Sequence, residues 1–304
     1  MEAYGALRAS LLAQYRALFE NPACFPDWAV RKIGCPEEPV KATIPFIGRD
    51  YARQDVKIFI YASAENLAGY HAGSGYWPGD WLDDDAQAVD RHRRCFERAE
   101  LQTGWFPHVH MAPMNDGCLA TAVFYLAHQL GPYDAGITPR EFYETVAFAN
   151  YGKFSIETEK QRNIRLGQGK GGAGSNVDYA GNTPLMEVSR PYVEADLRAL
   201  RPDYIIMPVT VYRAERDFID RCKGSAKVIG IYQMNVSVIN RIIRPRYPLA
   251  DLQSLPAAVR NWYGHIRSRG MHDGSKSKEN YRAVFPYLDE IWNEVLLQRE
   301  AKNP

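Results

Sequence analysis

VKIFIYASAENLAGY, residues 56–70, is the stretch from which the rest of the chain is read. It opens on an apolar run of β-branched and aromatic side chains: Val56, Ile58, Phe59, Ile60 and Tyr61. The run is too short for a helix and predicts a buried strand. It then breaks into Ala62, Ser63, Ala64, Glu65 and Asn66. In an open α/β sheet, ligands bind where parallel strands end, and a carboxylate with an amide at such an end can handle a water or a base. A helix cap formed by Ser63 or Asn66 accounts for the same residues equally simply.

Outward from this strand, apolar runs and helical patterns alternate. A second strand is expected at 146–149, a third at 203–209 and a fourth at 226–232, with helices at 118–130, 186–200 and 212–222 between them. Such alternation implies a central, mainly parallel four-stranded sheet with helices on both faces, a three-layer α/β/α fold. A short strand is also possible at 108–114, and a charged helix is expected at 86–101. An amphipathic helix at 4–19, followed by a Pro- and Gly-rich stretch of irregular structure, gives an N-terminal cover over residues 1–55. A final helix at about 279–299 closes the chain. The expectation is one domain over 1–304, with its core at 56–237 and a basic, helical C-terminal part at 241–304.

Composition bounds the function. The chain has 304 residues, a net charge of +1, 46% hydrophobic and 24% charged residues, the profile of an ordinary soluble protein. No apolar run reaches membrane-span length, and the N-terminus, with Arg8 and Arg16 inside its helical pattern, does not read as a signal peptide. The five cysteines are scattered without a CxxC pair, which argues for a reducing, cytoplasmic setting and against a zinc or iron–sulfur site. No cofactor or metal is expected, and no obligate protein partner is evident. With so little net charge, a nucleic-acid ligand needs a local basic patch. One exists: between residues 241 and 282, Arg241, Arg244, Arg246, Arg260, Arg267, Arg269, Lys276, Lys278 and Arg282 face only Asp251, Asp273 and Glu279 as acids. A patch this uneven suits a polyanion.

Several other stretches carry candidate chemistry. The loop at 70–85 concentrates Tyr70, Tyr76, Trp77 and Trp81 among Gly, Pro and Asp; aromatic faces beside carboxylates suit a flat ring or a sugar, although pinning the loop to the core would use the same aromatics. Asn115-Asp116-Gly117 marks a strand-to-helix turn whose free N–H groups can meet a phosphate or a base edge, or simply cap the helix. The second strand is expected to end at Asn150, followed closely by Lys153. An Asn offers a donor and an acceptor and so can read a base edge with two hydrogen bonds. The glycine-rich stretch 164–183 carries Arg165 and Lys170 but is not a P-loop, because Lys170 is followed by Gly171.

Taken in order, IYASAEN, FANYGK, PYVEADLRALRPDYIIMPV and VIGIYQMNVS make the chain resemble the uracil-DNA glycosylase superfamily over roughly residues 56–237. In that family the first strand ends in a water-activating motif, a later one in an Asn that reads the flipped base, often as TNxxK, and the last in His-Pro-Ser beside the scissile nucleotide. This chain departs from the pattern at both ends, with Ser63, Glu65 and Asn66 in the first motif and Gln233, Met234 and Asn235 in the last. One branch with rebuilt motifs excises hypermodified cytosine, such as glucosylated hydroxymethylcytosine, from phage DNA in bacterial defence. A loop rich in aromatics and carboxylates would suit a sugar-bearing base.

The resemblance implies a monofunctional DNA glycosylase acting on double-stranded, modified phage DNA. Glu65, Asn66 or Ser63 would activate water. Asn150 would read the base, Phe154 or Tyr70 would stack on it, and Tyr76, Trp77 and Asp116 would line its pocket. Lys153, Arg165, Lys170, Gln233, Asn235, Ser237, Arg241 and Arg244 would hold the DNA. The residues also admit a catalytically inactive DNA-binding protein on the same fold, or an α/β enzyme acting on a free nucleotide or sugar.

Overall fold

A computed structural model describes residues 2–19, 21–24, 45–64, 118–153, 183–234, 236–268 and 279–300. The chain is α/β, with a five-stranded mixed sheet between helices on both faces. In chain order the main elements are α1 (Glu2–Phe19), β1 (Phe46–Ile47), β2 (Ile58–Ala64), α2 (Cys118–Leu130), α3 (Pro139–Thr145), β3 (Ala147–Gly152), α4 (Thr183–Leu200), β4 (Tyr204–Pro208), α5 (Val209–Cys222), β5 (Lys227–Ile231), α6 (Ala257–Ser268) and α7 (Val284–Glu300). Among the described residues, no helix is long and apolar enough to cross a membrane.

The strand order is β1-β3-β2-β4-β5. β2 pairs in parallel with β3 on one side and β4 on the other, and β5 runs parallel to β4. This corrects the four-stranded expectation. β1 adds a fifth, antiparallel strand, pairing Phe46 with Phe148 and Ile47 with Ala147, within residues that read as irregular cover. A two-residue strand leaves no periodicity to detect. Its exit is tight: a Cβ on Gly48 would lie 2.2 Å from the Glu144 carbonyl oxygen, so only glycine lets the backbone pass. The Gly48 N–H then donates to the Val146 carbonyl and the Asp50 N–H to that of Glu144.

Side-chain alternation divides the core in two. Ile58 and Ile60 of β2, Phe148 of β3 and Ile206 of β4 pack under α2, α3, α6 and α7. Phe59 and Tyr61, Ala147 and Tyr151, and Ile205 and Met207 pack under α1, α4 and α5. Ile58, Phe59, Ile60 and Tyr61 are buried in succession, as a central parallel strand covered on both faces requires.

Caps and stops explain the helix limits. α3 starts in a reciprocal cap, with Thr138 Oγ1 accepting from the Glu141 N–H while the Glu141 carboxylate accepts from the Thr138 N–H, and Pro139 opens the first turn. α4 ends at Arg201, which takes a left-handed φ of 44° and donates its N–H to the Leu197 carbonyl, and Pro202 bars continuation. The segment after β5 begins with one helical turn, Val236–Val238, and widens into a π-helical turn, Ile239–Ile243.

Candidate functional site at the carboxyl ends of the strands

Four parallel strands share one carboxyl edge, ending at Ala64, Gly152, Pro208 and Ile231. β2 is the first of them in sequence; the chain goes to one side for β3, then returns past β2 for β4. The direction of winding therefore reverses between β2 and β4, and the crevice outside such a reversal is where open α/β sheets bind ligands. β2 ends at this point with Ser63-Ala64.

β3 reaches further than the sequence predicts, so Asn150 lies within the strand, opposite Ala62 of β2. Its side chain projects to the face of Phe148 and Ile60, by alternation along the strand. Asn150 is 5% exposed, and its Oδ1 is enclosed and, among the described residues, without a hydrogen-bond partner. A buried acceptor left unpaired costs about 1–3 kcal/mol and calls for an explanation. Ser63 is only partly enclosed and, by the same alternation, projects to the opposite face, that of Tyr61. Ser63 and Asn150 are therefore near one another along the edge but do not share a face.

Lys153 corrects an expectation. It is fully buried, with its ammonium 2.5 Å from Asp196 Oδ2, so it is not placed to grip DNA phosphates. Tyr15 of α1 donates to Asp196 Oδ1 at 2.7 Å, and Tyr61 of β2 to Oδ2 at 2.8 Å. The Lys153 Nζ also sits 5.5 Å from the Tyr61 ring centroid and 5.9 Å from that of Tyr15, within cation–π range. Burial pushes the Asp196 carboxyl up from its ordinary range, against the opposing pull of Lys153 and the two tyrosines. Burial likewise pushes the Lys153 ammonium down, against Asp196. A second buried carboxylate lies on the same face of the sheet: Glu215 of α5 accepts from Tyr151 at 3.0 Å and takes two bonds from Arg190, at 2.8 and 3.0 Å.

Sequence reading passed over Asp196 and Glu215, although a signal was present. Ser189, Val193, Asp196 and Leu200 lie at helical spacing on the buried stripe of α4, and Val211, Glu215 and Ile219 do so on α5. A carboxylate on the apolar stripe of an amphipathic helix must find partners inside.

Beyond β5, Gln233 and Ser237 are exposed, while Met234 between them is buried. Arg241 and Arg246 are exposed, and among the described residues no carboxylate pairs with either. Other cations of the basic tract serve the fold. Arg244 is half-buried and donates to the Tyr247 carbonyl at 3.2 Å, which reduces its freedom as a phosphate contact. Arg282 donates twice to the Ala250 carbonyl. Arg260 reaches the Gln253 carbonyl at 3.4 Å.

Glu65, Asn66, Tyr70, Tyr76, Trp77, Asp116, Phe154, Arg165, Lys170 and Asn235 lie outside the described residues, as do the strand and helix expected at 108–114 and 86–101. At the opposite, amino end of β2 lies an open cleft of about 840 Å³, lined by Asp50, Asp55, Asp134, Glu141 and Glu144 with Arg140. Its excess of carboxylates would repel a phosphate backbone, so the carboxyl edge is the better candidate for an anionic polymer. Comparison with models of protein families, with characterised proteins and with solved structures finds no match.

Proposed function

We propose that this chain is a DNA glycosylase that takes a modified base, of the hypermodified-cytosine kind, out of the duplex and hydrolyses its N-glycosidic bond to leave an abasic site. The observation that carries the reading is the enclosed Oδ1 of Asn150 at the carboxyl edge of the sheet, without a partner among the described residues. A ligand that presents an N–H would complete it, and cytosine offers its N4 amino group. The same amide would then select the base after flipping, a step that costs a few kcal/mol of lost stacking and pairing.

The remaining roles follow from chemistry and placement. Departure of the base builds positive charge on the sugar, which a carboxylate can stabilise while orienting water. Glu65, the residue after β2 at the winding reversal, is the first choice, with Asn66 positioning water. General-base help of this kind contributes about 10²- to 10⁴-fold. Exposed Arg241 and Arg246, with Gln233 and Ser237 nearer the edge, supply a track for the phosphates. The aromatic stretch 70–85 would receive the sugar on the base.

The test is abasic-site formation on unmodified DNA, uracil-containing DNA and phage DNA carrying glucosylated hydroxymethylcytosine. Abasic sites in the phage DNA alone are expected, with Asn150→Ala and Glu65→Gln each reducing the rate at least tenfold. Cleavage of uracil DNA would move the substrate to ordinary repair. An absence of abasic sites in all three, with DNA still bound, would overturn the catalytic reading in favour of a binding protein.

A further inference from the structure

The end of β3 has an unusual means of support. β1 pairs with β3 only at Ala147 and Phe148. From Asn150 to Gly152 the strand is paired with β2 on its inner side, and no described strand flanks the outer one. Among the described residues, strand hydrogen bonding therefore holds this segment on one side. The other constraints come from the helices behind it. Tyr151 is bonded to Glu215 of α5. Lys153 is held twice by α4: its backbone N–H donates to Ser189 Oγ at 3.0 Å, and its ammonium meets Asp196. Ser189 and Asp196 are both fully buried and stand two helical turns apart on α4. Asp196 also takes the hydroxyl of Tyr61, two residues before Ser63, so one carboxylate ties together the ends of β2 and β3.

We infer that the Lys153–Asp196 pair is a positioning device for the candidate site, holding the end of β3 so that Asn150 presents its acceptor at a fixed place beside β2. A buried ion pair is a poor source of stability, since apolar replacement of both partners is often neutral or better. It is a good source of geometry, because the ammonium and carboxylate have one satisfactory arrangement and a slack apolar contact has many. Asp196 and Lys153 touch neither base nor sugar in this scheme. Their effect passes through the backbone of β3 to Asn150 and through Tyr61 to the end of β2.

The consequence for catalysis rests on the glycosylase reading, and the consequence for β3 does not, so the experiment has two arms. The variant is Lys153→Met/Asp196→Asn, which removes both charges and keeps side chains of similar size, with an amide oxygen still able to accept from Tyr15. In the first arm, amide hydrogen exchange is followed at residues 149–153 and across β4 as an internal reference. Exchange at 149–153 is expected to quicken roughly tenfold or more while β4 is unchanged, the pattern of local rather than global opening. Equal protection in variant and parent would overturn the inference. In the second arm, excision kinetics are measured on the substrate that the parent cleaves. kcat is expected to fall about 10- to 100-fold, the scale of a misplacement near 1 Å, with KM and DNA affinity within about twofold, because the exposed arginines are untouched. Faster exchange with an unchanged kcat would also overturn it, since Asn150 would then be held by something else. A parent protein that excises nothing would sink the glycosylase reading and leave the exchange arm to decide the role of the pair.

Discussion

Lys153→Met would strip the Asp196 carboxylate of its ammonium partner in a site where both side chains are fully enclosed. No solvent screens the loss, so the cost falls in the range for breaking a buried pair, about 3–5 kcal/mol. The lower half of that range is expected here, because Tyr15 and Tyr61 still donate to the carboxylate. Asp196→Asn is expected to cost a similar amount by stranding the ammonium. The double variant should recover most of the loss and lie within about 1–2 kcal/mol of the parent, as neutral replacements of buried pairs do.

The pH dependence separates the two single variants. Burial already raises the Asp196 carboxyl, and removing Lys153 removes a cause that lowers it. Its folded pKa then lies further above the ordinary aspartate value of 3.8. Lys153→Met should therefore be least impaired in acid and lose stability as pH rises through that folded pKa. In Asp196→Asn the lysine, already depressed by burial, loses the carboxylate that raises it. That variant should be least impaired towards the ordinary lysine value of 10.5 and lose stability as pH falls through its folded pKa. Urea unfolding of parent, single and double variants between pH 5 and 9 measures all of this, with m values checking that the transition stays comparable. Single variants within about 1 kcal/mol of the parent, or two single variants with the same sign of pH slope, would refute the argument that this is a buried, mutually dependent pair.

Three further outcomes are expected. Gly48→Ala should destabilise by about 1–3 kcal/mol or more, because its Cβ would meet a backbone oxygen at 2.2 Å rather than a movable side chain; thermal melting reads the loss, and an unchanged midpoint would mean that the β1 crossing is looser than described. Thr138→Ala removes the acceptor for the Glu141 N–H and the reciprocal cap of α3, for a loss of about 1 kcal/mol measurable by urea unfolding. Arg241→Gln and Arg246→Gln, on exposed arginines without carboxylate partners among the described residues, should each reduce the slope of log binding constant against log salt by about 0.9 for duplex DNA. Slopes identical to that of the parent would remove these arginines from the DNA track.

The sequence by itself determined the alternation of strands and helices, and with it the α/β class. Ile58-Phe59-Ile60-Tyr61 is legible because a strand buried on both faces must be apolar at consecutive positions, and α4 is legible because its stripe repeats at helical spacing. Asn150 and the basic tract were visible as residue types in plausible places. What only the tertiary structure decided depends on partners distant in the chain. β1 is two residues long and exists because β3 offers it an edge. Lys153 looks like a free cation in FANYGK, yet it is fully buried and Asp196, 43 positions away in sequence, supplies its counter-charge. Arg282 counts as positive charge in a composition but donates to the Ala250 carbonyl, 32 positions away. Local pattern records what a segment can bury, whereas the pairing of a buried charge is settled by whichever helix packs over it, and that choice is made only when the layers close.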